Sequence, residues 1–515
     1  MPLSISSHPS QTSVVVPTET PGIGRCVVAL ILWLAVVDLG YWFAGVRFDV
    51  SGLTYYWQFL DPELLRHDLL RSLYYLHSQP PLYNLFVGIV LKAAPENYAT
   101  VFFAIHLAVG LVFELSLFWL LVRLDVGRIT ATVMAGLFVA TPDFVLHENV
   151  LYYTILVAAL VMLSAVLLVE FLRSRQTWAA AGFFAVLFLI CGLRALFHLG
   201  FFLLLVAVLA LACRAQWRKV LLCAVIPGLL LASIYVKNYF VFGQFTTSTW
   251  LGLNAWTMTT RNLSDADRKE LVRRGVLTPI SLLDREAPLD EYPREYRDAS
   301  AFPQVPVLVA PRKSTGAVNM NHAGYIAISK AYGKDALAGL IHRPRSFLVG
   351  LARAYFAYFK AAGDHMNCDR NRPYTEPLNS MVNYGLYGKI PYDLAKLPGM
   401  PIYNRNNHHF VYLFLMLGLP ALALYGLVLL VRGTTGRLPG EFTPAQYGLL
   451  LYMLFVIAYV CLVGNTFENS ENNRFRFNTD GFYVVLLGLF IYRVIIARSR
   501  KTKQRVELPP ATVNP

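Results

Sequence analysis

Two acids stand at places where an oily chain rarely carries charge. Asp49 follows an apolar run by a few residues, and Glu148 lies in "TPDFVLHENVLYY", between two later runs. Two carboxylates near a low-dielectric boundary can supply a base with a raised pKa, a metal ligand pair, or a clasp for a cationic substrate group. A solvated span end explains either acid taken alone. Asp61, Glu63, Asp68 and Asp143 compete for the same role and rank below them.

Other polar residues recur at similar places. "HSQPPLYNLF" sets His77 and Gln79 before two prolines. Pro80 and Pro81 fix φ, remove donors and hold the preceding residues extended. That geometry presents His77 and Gln79 to a headgroup, or merely turns the chain into a helix. "GLRALFHLGF" puts Arg194 and His198 four apart, on one helical face. A cation near a span end pairs with an acid such as Glu148 or binds a phosphate.

"KNYFVFGQFTTSTWLGLNAW", residues 237–256, mixes rings, hydroxyls and Asn254. Rings stack on sugars and hydroxyls bond them, although an interfacial aromatic belt has the same composition. Arg343, Arg345 and Arg353 in "HRPRSFLVGLARAYFAYFK", residues 342–360, suit a bidentate phosphate or plain headgroup contact. Arg474 and Arg476 in "NNRFRFNTDGFYVV" share a face if the segment is extended.

Apolar elements must position all of these. The chain has 515 residues, 56% hydrophobic and only 15% charged, against about 25% charged in soluble proteins. Apolar runs of about 17–25 residues recur throughout, each able to cross a bilayer once. They do not alternate as barrel strands would. The expectation is an all-α polytopic membrane protein of about ten spans: 25–45, 98–122, 129–142, 149–172, 178–193, 195–213, 219–240, 408–431, 446–465 and 481–498.

The net charge of +14 gathers in short connectors such as "RLDVGR", "RSRQ", "RAQWRK" and "RGTTGR", and in the tail. These orient the chain with the connectors inside, so nucleic acid is no partner. Keeping both ends inside then makes 80–94, too short to span, an interfacial helix on the outer face. The long polar segments 46–97, 142–149, 241–407 and 466–480 share that face, with Asp49 and Glu148 at one depth. The expected organisation is a disordered tail over 1–24 and a transmembrane catalytic module over 25–240, with its first external loop at 46–97. A large external segment over 241–407 follows, carrying an interfacial helix at 342–360. Terminal spans over 408–498 lead into a basic cytoplasmic tail over 499–515. Six Cys without C-x-x-C spacing indicate neither zinc nor a disulfide framework.

These pieces, in this order, resemble the multispan C-type (GT-C fold) glycosyltransferases that use a lipid-phosphate-linked sugar. They look most like the bacterial branch grouped with protein mannosyltransferases and aminoarabinose transferases. "QPPLYNLFVGIVL" is similar to that family's juxtamembrane "PPLYP" helix, residues 237–256 to its "RNY-FG-F-x-STN-G-N-W" segment, and "NNRFRFNTDGFYVVLLG" to its closing "RYR-P-x-P" entry. The resemblance covers most of 25–498. Three features depart from it. Gln79 stands near a phosphate-contacting Lys of some members, Val50 replaces the acid after the first Asp, and "NAW" lacks a preceding Gly pair.

The resemblance implies a GT-C-like bundle with external juxtamembrane helices. Its activity would be transfer of a sugar, with inversion, from a polyprenyl-phosphate carrier to a glycan, lipid or protein acceptor on the extracytoplasmic or lumenal face. Asp49 would be the general base and Glu148 the second acid. Arg343, Arg345 or Arg474 would hold the leaving phosphate. His77, Gln79, Arg194, His198, Asn254 and Arg476 complete the expected substrate-binding set. No cofactor is fixed by these residues; a divalent metal would suit two acids, but no ligand spacing demands one. Walker and dinucleotide glycine motifs are absent, which gives a soluble nucleotide-sugar donor no support. Membrane lipids are partners by construction. The expected location is a bacterial plasma membrane facing the cell envelope, with the endoplasmic reticulum as the alternative. A flippase for lipid-linked sugars and a non-catalytic membrane subunit are the competing functions.

Overall fold

The computed structural model describes residues 22–391, 410–434 and 442–496. Residues 1–21 of the tail expected over 1–24, the end of the large external segment at 392–407 and the basic tail at 499–515 lie outside them, and α1 already begins at Ile23.

The described residues are mostly helical. The helices that matter here are α1 (Ile23–Ala44), α2 (Pro81–Ala93), α3 (Tyr98–Arg123), α4 (Arg128–Val139), α5 (Pro142–Glu148), α6 (Tyr153–Ser174), α7 (Thr177–Leu193) and α8 (Leu199–Ala212). They continue with α9 (Trp217–Phe242), α10 (Leu251–Met258), α11 (Gly324–His342), α12 (Arg345–Tyr358), α13 (Leu413–Thr434), α14 (Pro444–Phe467) and α15 (Asn472–Phe490). The described strands are one short antiparallel pair, Lys389–Pro391 with Phe410–Tyr412.

Among the described residues six helices are long and apolar enough to cross a membrane, and α4 with α5 forms a bent pair that would make a seventh. The outward faces of these helices carry Leu32, Val36, Phe43 and Leu222. Such a surface is stable against hydrocarbon and not against water. The protein is therefore an all-α polytopic integral membrane protein. Among the described residues each expected span contains a helix, although α7 and α8 have only 17 and 14 residues and the span expected from 408 begins its helix at Leu413.

Punctuation in the sequence explains the helix ends. Pro142 sits at the first helical position of α5, where a missing N–H costs nothing, and Thr141 accepts from the Phe144 N–H. The same proline prevents α4 from continuing, so the pair bends by 62°. Thr443 and Gln446 form a reciprocal capping box at the start of α14. Gly243 ends α9 at φ 67°, a left-handed conformation that costs glycine little.

α6 lies at the centre, packed against α3, α7, α14 and α15. Outside the bundle, α10 packs on α11 around a second apolar core that includes Trp256, Tyr292, Tyr325 and Tyr332. Their approach depends on Gly252, where any Cβ would run into the Ser329 carbonyl oxygen. Asp335 then ties the loop before this core, accepting from the Thr278 N–H, the Thr278 hydroxyl and the Ser281 hydroxyl.

Two local readings of the sequence are corrected. Arg474 and Arg476 belong to helix α15, not to an extended segment, so they project to different sides. Arg194 caps the end of α7 in an extended conformation and His198 caps the start of α8. They do not share a helical face, because the chain breaks between them.

Candidate functional site

A cavity of about 600 Å³ lies where α6, α7, α8, α10, α14 and α15 converge. Leu199, Leu203, Leu251, Val463 and Phe467 line one side. Leu203, Leu251 and Phe467 are also exposed on the outer surface. The cavity thus has an apolar mouth and a polar interior, the arrangement that suits a ligand with a greasy tail and a charged head.

Two arginines form the cationic wall. Arg194 is buried and pairs with no carboxylate among the described residues; its Nη1 has no hydrogen-bond partner. Its guanidinium carbon lies 4.0 Å from the Phe475 ring centre and 5.3 Å from that of Tyr153. Arg474 is also buried and pairs with Glu471 through Nη2, while its Nε and Nη1 remain unpartnered. It packs 4.5 Å from the Tyr152 ring centre and 5.3 Å from that of Tyr153. A buried cation without a counter-ion is costly unless an anion visits it.

Glu471 is held well below the usual carboxylate range: burial pushes upward, and the neighbouring Arg474 and His365 outweigh it. His365 lies 3.4 Å from Glu471, and burial lowers its pKa despite that acid. A chain of hydroxyls backs this wall. Tyr56 bonds Glu471 at 3.3 Å, and Tyr152 shares hydrogen bonds with Tyr56, Tyr153 and Gln58.

The rest of the lining is mixed. Trp57, Trp250, Asn254, Arg285, Glu286 and Glu468 line it. Arg285 donates to Asn254 Oδ1 at 3.2 Å and lies 3.5 Å from Glu468. Glu468 Oε1 is occupied by the Asn469 N–H, the Ser470 N–H and the Ser470 hydroxyl. Glu286 touches only Arg285 among these and is partly exposed. Burial raises its pKa, more than Arg285 lowers it. Among the described residues no group of three His, Cys, Asp or Glu is placed to hold a metal ion.

The cavity gathers Gln79, Arg194, His198, Asn254 and Arg474 from the expected set, together with most of 245–254. Other members stand elsewhere. Asp49 is buried, bonded to the Ser51 N–H and paired with Arg370 at 2.9 Å. Its backbone pairs with the 149–151 segment, through Asp49 N to Asn149 O and Leu151 N to Asp49 O. Glu148 turns away from Asp49 and lies over Gly110 of α3. The two acids therefore share a layer of backbone but not a site, because α5 ends with Glu148 pointing into the bundle.

His77 is a structural post. Its Nδ1 accepts from the Thr249 hydroxyl at 2.8 Å and its Nε2 donates to the Asn321 carbonyl at 2.9 Å, which assigns the neutral tautomer. Arg343 lies near Asp267 at 3.6 Å, and Arg345 is exposed at the first turn of α12. Arg476 pairs with Asp480 at 2.9 Å and donates to the Tyr358 and Lys360 carbonyls. These last three do not line the cavity.

Sequence reasoning missed Tyr152, Tyr153, Arg285, Glu286, Glu468 and Glu471. Only the paired tyrosines at the head of a span and the acids of "FENSEN" offered a local signal. Arg285 and Glu286 lie in an ordinary polar loop, and nothing near them in sequence points to the cavity.

No protein-family model matches the chain, and no curated protein matches it. Among solved structures, the chain is similar over 95% of its length to the archaeal oligosaccharyltransferase AglB from Archaeoglobus fulgidus, solved with an inhibitory peptide and a dolichol-phosphate. The identity is 12%, the TM-score is 0.35, and the chain spans about half of that structure, 53%.

Proposed function

We propose that the protein is a membrane glycosyltransferase that moves a sugar from a polyprenyl-phosphate carrier to an acceptor on the extracytoplasmic or lumenal face. The observation that carries this reading is Arg194: a buried guanidinium paired with no carboxylate among the described residues, opening on a cavity with an apolar mouth. The resemblance to the GT-C transferases supplies the reaction class.

In this reading the isoprenoid tail leaves between α8 and α14, and the phosphate lies between Arg194 and Arg474. The sugar reaches the Trp250, Asn254 and Arg285 wall. The acceptor oxygen attacks the anomeric carbon as the bond to the phosphate oxygen breaks, and the phosphate keeps the electron pair beside the arginines. A base takes the acceptor proton. Glu286 is the cavity carboxylate least occupied by other donors, and its raised pKa suits the task. Asp49, the base implied by the resemblance, is its rival.

The test uses purified protein in lipid nanodiscs with one polyprenyl-phosphate sugar and a panel of acceptors. Release of polyprenyl phosphate with a new glycosidic product supports the reading. Movement of the lipid-linked sugar across vesicles without any covalent product overturns it in favour of a flippase.

A further inference from the structure

Three carboxyls meet inside the helical bundle, apart from the cavity described above. Asp38 comes from α1, Glu114 from α3 and Glu148 from the end of α5. The Asp38 and Glu148 carboxyls reach each other, and Glu114 is close enough to feel both charges. Glu114 and Glu148 are fully buried, and among the described residues no N–H or hydroxyl donor reaches any of their four oxygens or the buried Asp38 Oδ1.

The surroundings are built around this cluster. Glu148 occupies a notch that exists because Gly110 has no side chain; a Cβ there would collide with Glu148 Oε1. His106, Gly110 and Glu114 follow one another at four-residue spacing, so they form one stripe of α3. A second cavity, of about 240 Å³, approaches from the end of α1 and is lined by Asp38, Trp42, Phe48, Phe103 and Asn149. Phe48 packs on His106 with ring centres 4.9 Å apart. Beyond Glu114 the helix continues with buried Leu117 and Leu121, which close the stripe with apolar packing.

The neighbouring polar groups do not neutralise the three acids. Tyr41 of α1 donates to the Ala140 carbonyl. His106 of α3 uses Nδ1 on the Phe102 carbonyl. Asp143 of α5 faces away and accepts from the Ala362 and Gly363 N–H groups. Arg47, at the rim of the second cavity, packs on Trp42, and Asp49 is paired with Arg370. Three bare carboxylates in a low-dielectric interior would cost many kcal/mol in total. A cation must therefore accompany them, and no group of this kind among the described residues is placed to hold a metal ion.

We propose that Asp38, Glu114 and Glu148 form a proton-binding site within the membrane-embedded bundle, loaded through the second cavity. The protons sit in hydrogen bonds between the carboxyls, so the cluster carries little or no net charge. Buried Leu117 and Leu121 close the side beyond Glu114. The proposal stands whether or not the protein transfers sugars.

Two measurements on the intact protein in nanodiscs test it. Infrared spectroscopy at neutral pH should show a carboxylic-acid carbonyl band that shifts in heavy water, weakens in Glu148→Gln and is largely lost in Glu114→Gln/Glu148→Gln. Dicyclohexylcarbodiimide, an apolar reagent that adds to protonated carboxyls, should modify Glu148 or Glu114, as read by mass spectrometry, and the modification should fall at alkaline pH. If the amide variants do not fold, the adduct on the wild-type chain decides. A wild-type protein with neither band nor adduct overturns the proposal. Suppression of the adduct by sodium or calcium at constant pH also overturns it, because the site would then hold a metal cation.

Discussion

Arg194 and Arg474 flank the same two rings. Arg194 lies 4.0 Å from the centre of Phe475 and 5.3 Å from that of Tyr153; Arg474 lies 5.7 Å and 5.3 Å from them. Among the described residues only Arg474 of the two has a carboxylate partner, Glu471. The pair therefore holds more positive than negative charge in a buried place, which favours an anionic group beside it.

Arg194→Ala should weaken the donor's KM about 10–100-fold, the loss of roughly 1.5–3 kcal/mol expected for hydrogen bonds to a charged group. Arg194→Lys should recover part of it, since a point charge replaces a bidentate fork. Thermal stability should not fall in parallel, because the substitution removes an unpaired buried charge. Equal donor affinity in wild type and Arg194→Ala, measured by titration of polyprenyl phosphate, would remove the anion site.

Glu286→Gln should lower turnover about 10²–10⁴-fold, the range of a general base, with donor affinity nearly unchanged. Asp49→Asn made in parallel ranks the two acids. If Asp49→Asn shows the loss and Glu286→Gln does not, the base lies with Asp49, and the pairing of Asp49 with Arg370 must open during turnover.

His77 gives a stability signature. Burial lowers its pKa to about 3 from the ordinary 6.5, helped by nearby Lys237 and His322 and opposed by backbone hydrogen bonds. The native state thus binds fewer protons than the unfolded chain between those values. Stability from this group is intact above about pH 6.5 and declines as pH falls toward 3, by a few kcal/mol at most. His77→Gln should lower the thermal midpoint at neutral pH by losing one of the two ring hydrogen bonds, about 1 kcal/mol. It should also flatten the acid side of the melting profile. Identical slopes in the two proteins would refute the assignment.

Gly252→Ala should impair the external core and not the spans. The new methyl meets the Ser329 carbonyl oxygen, and α10 must move off α11, costing about 1–3 kcal/mol or more. Limited proteolysis should open the 260–320 region first while the transmembrane fragment stays protected. Unchanged resistance to protease would show that the two helices can part without loss.

The sequence alone determined the class of the protein and most of its helices, because a span is a local property: about twenty apolar residues suffice. Pro80 and Pro81 announced the start of α2 for the same local reason, whereas 142–149 reads as a polar connector and leaves α5 unforeseen. It also singled out Gln79, Arg194, His198, Asn254 and Arg474, since a polar residue at the end of an oily run is conspicuous. Tertiary structure alone decided which of them share a cavity. Arg194 looked ready to pair with Glu148, yet the bend at Pro142 turns Glu148 toward Asp38 and Glu114 while α6 carries Tyr153 between the arginines. Arg474 and Arg476 looked alike until α15 formed, whereupon one faced the cavity and the other the Tyr358 and Lys360 carbonyls. Glu286 and Arg285 had no local mark at all. Partners in a buried charge network come from distant segments, and only the packing of helices selects which carboxylate meets which guanidinium.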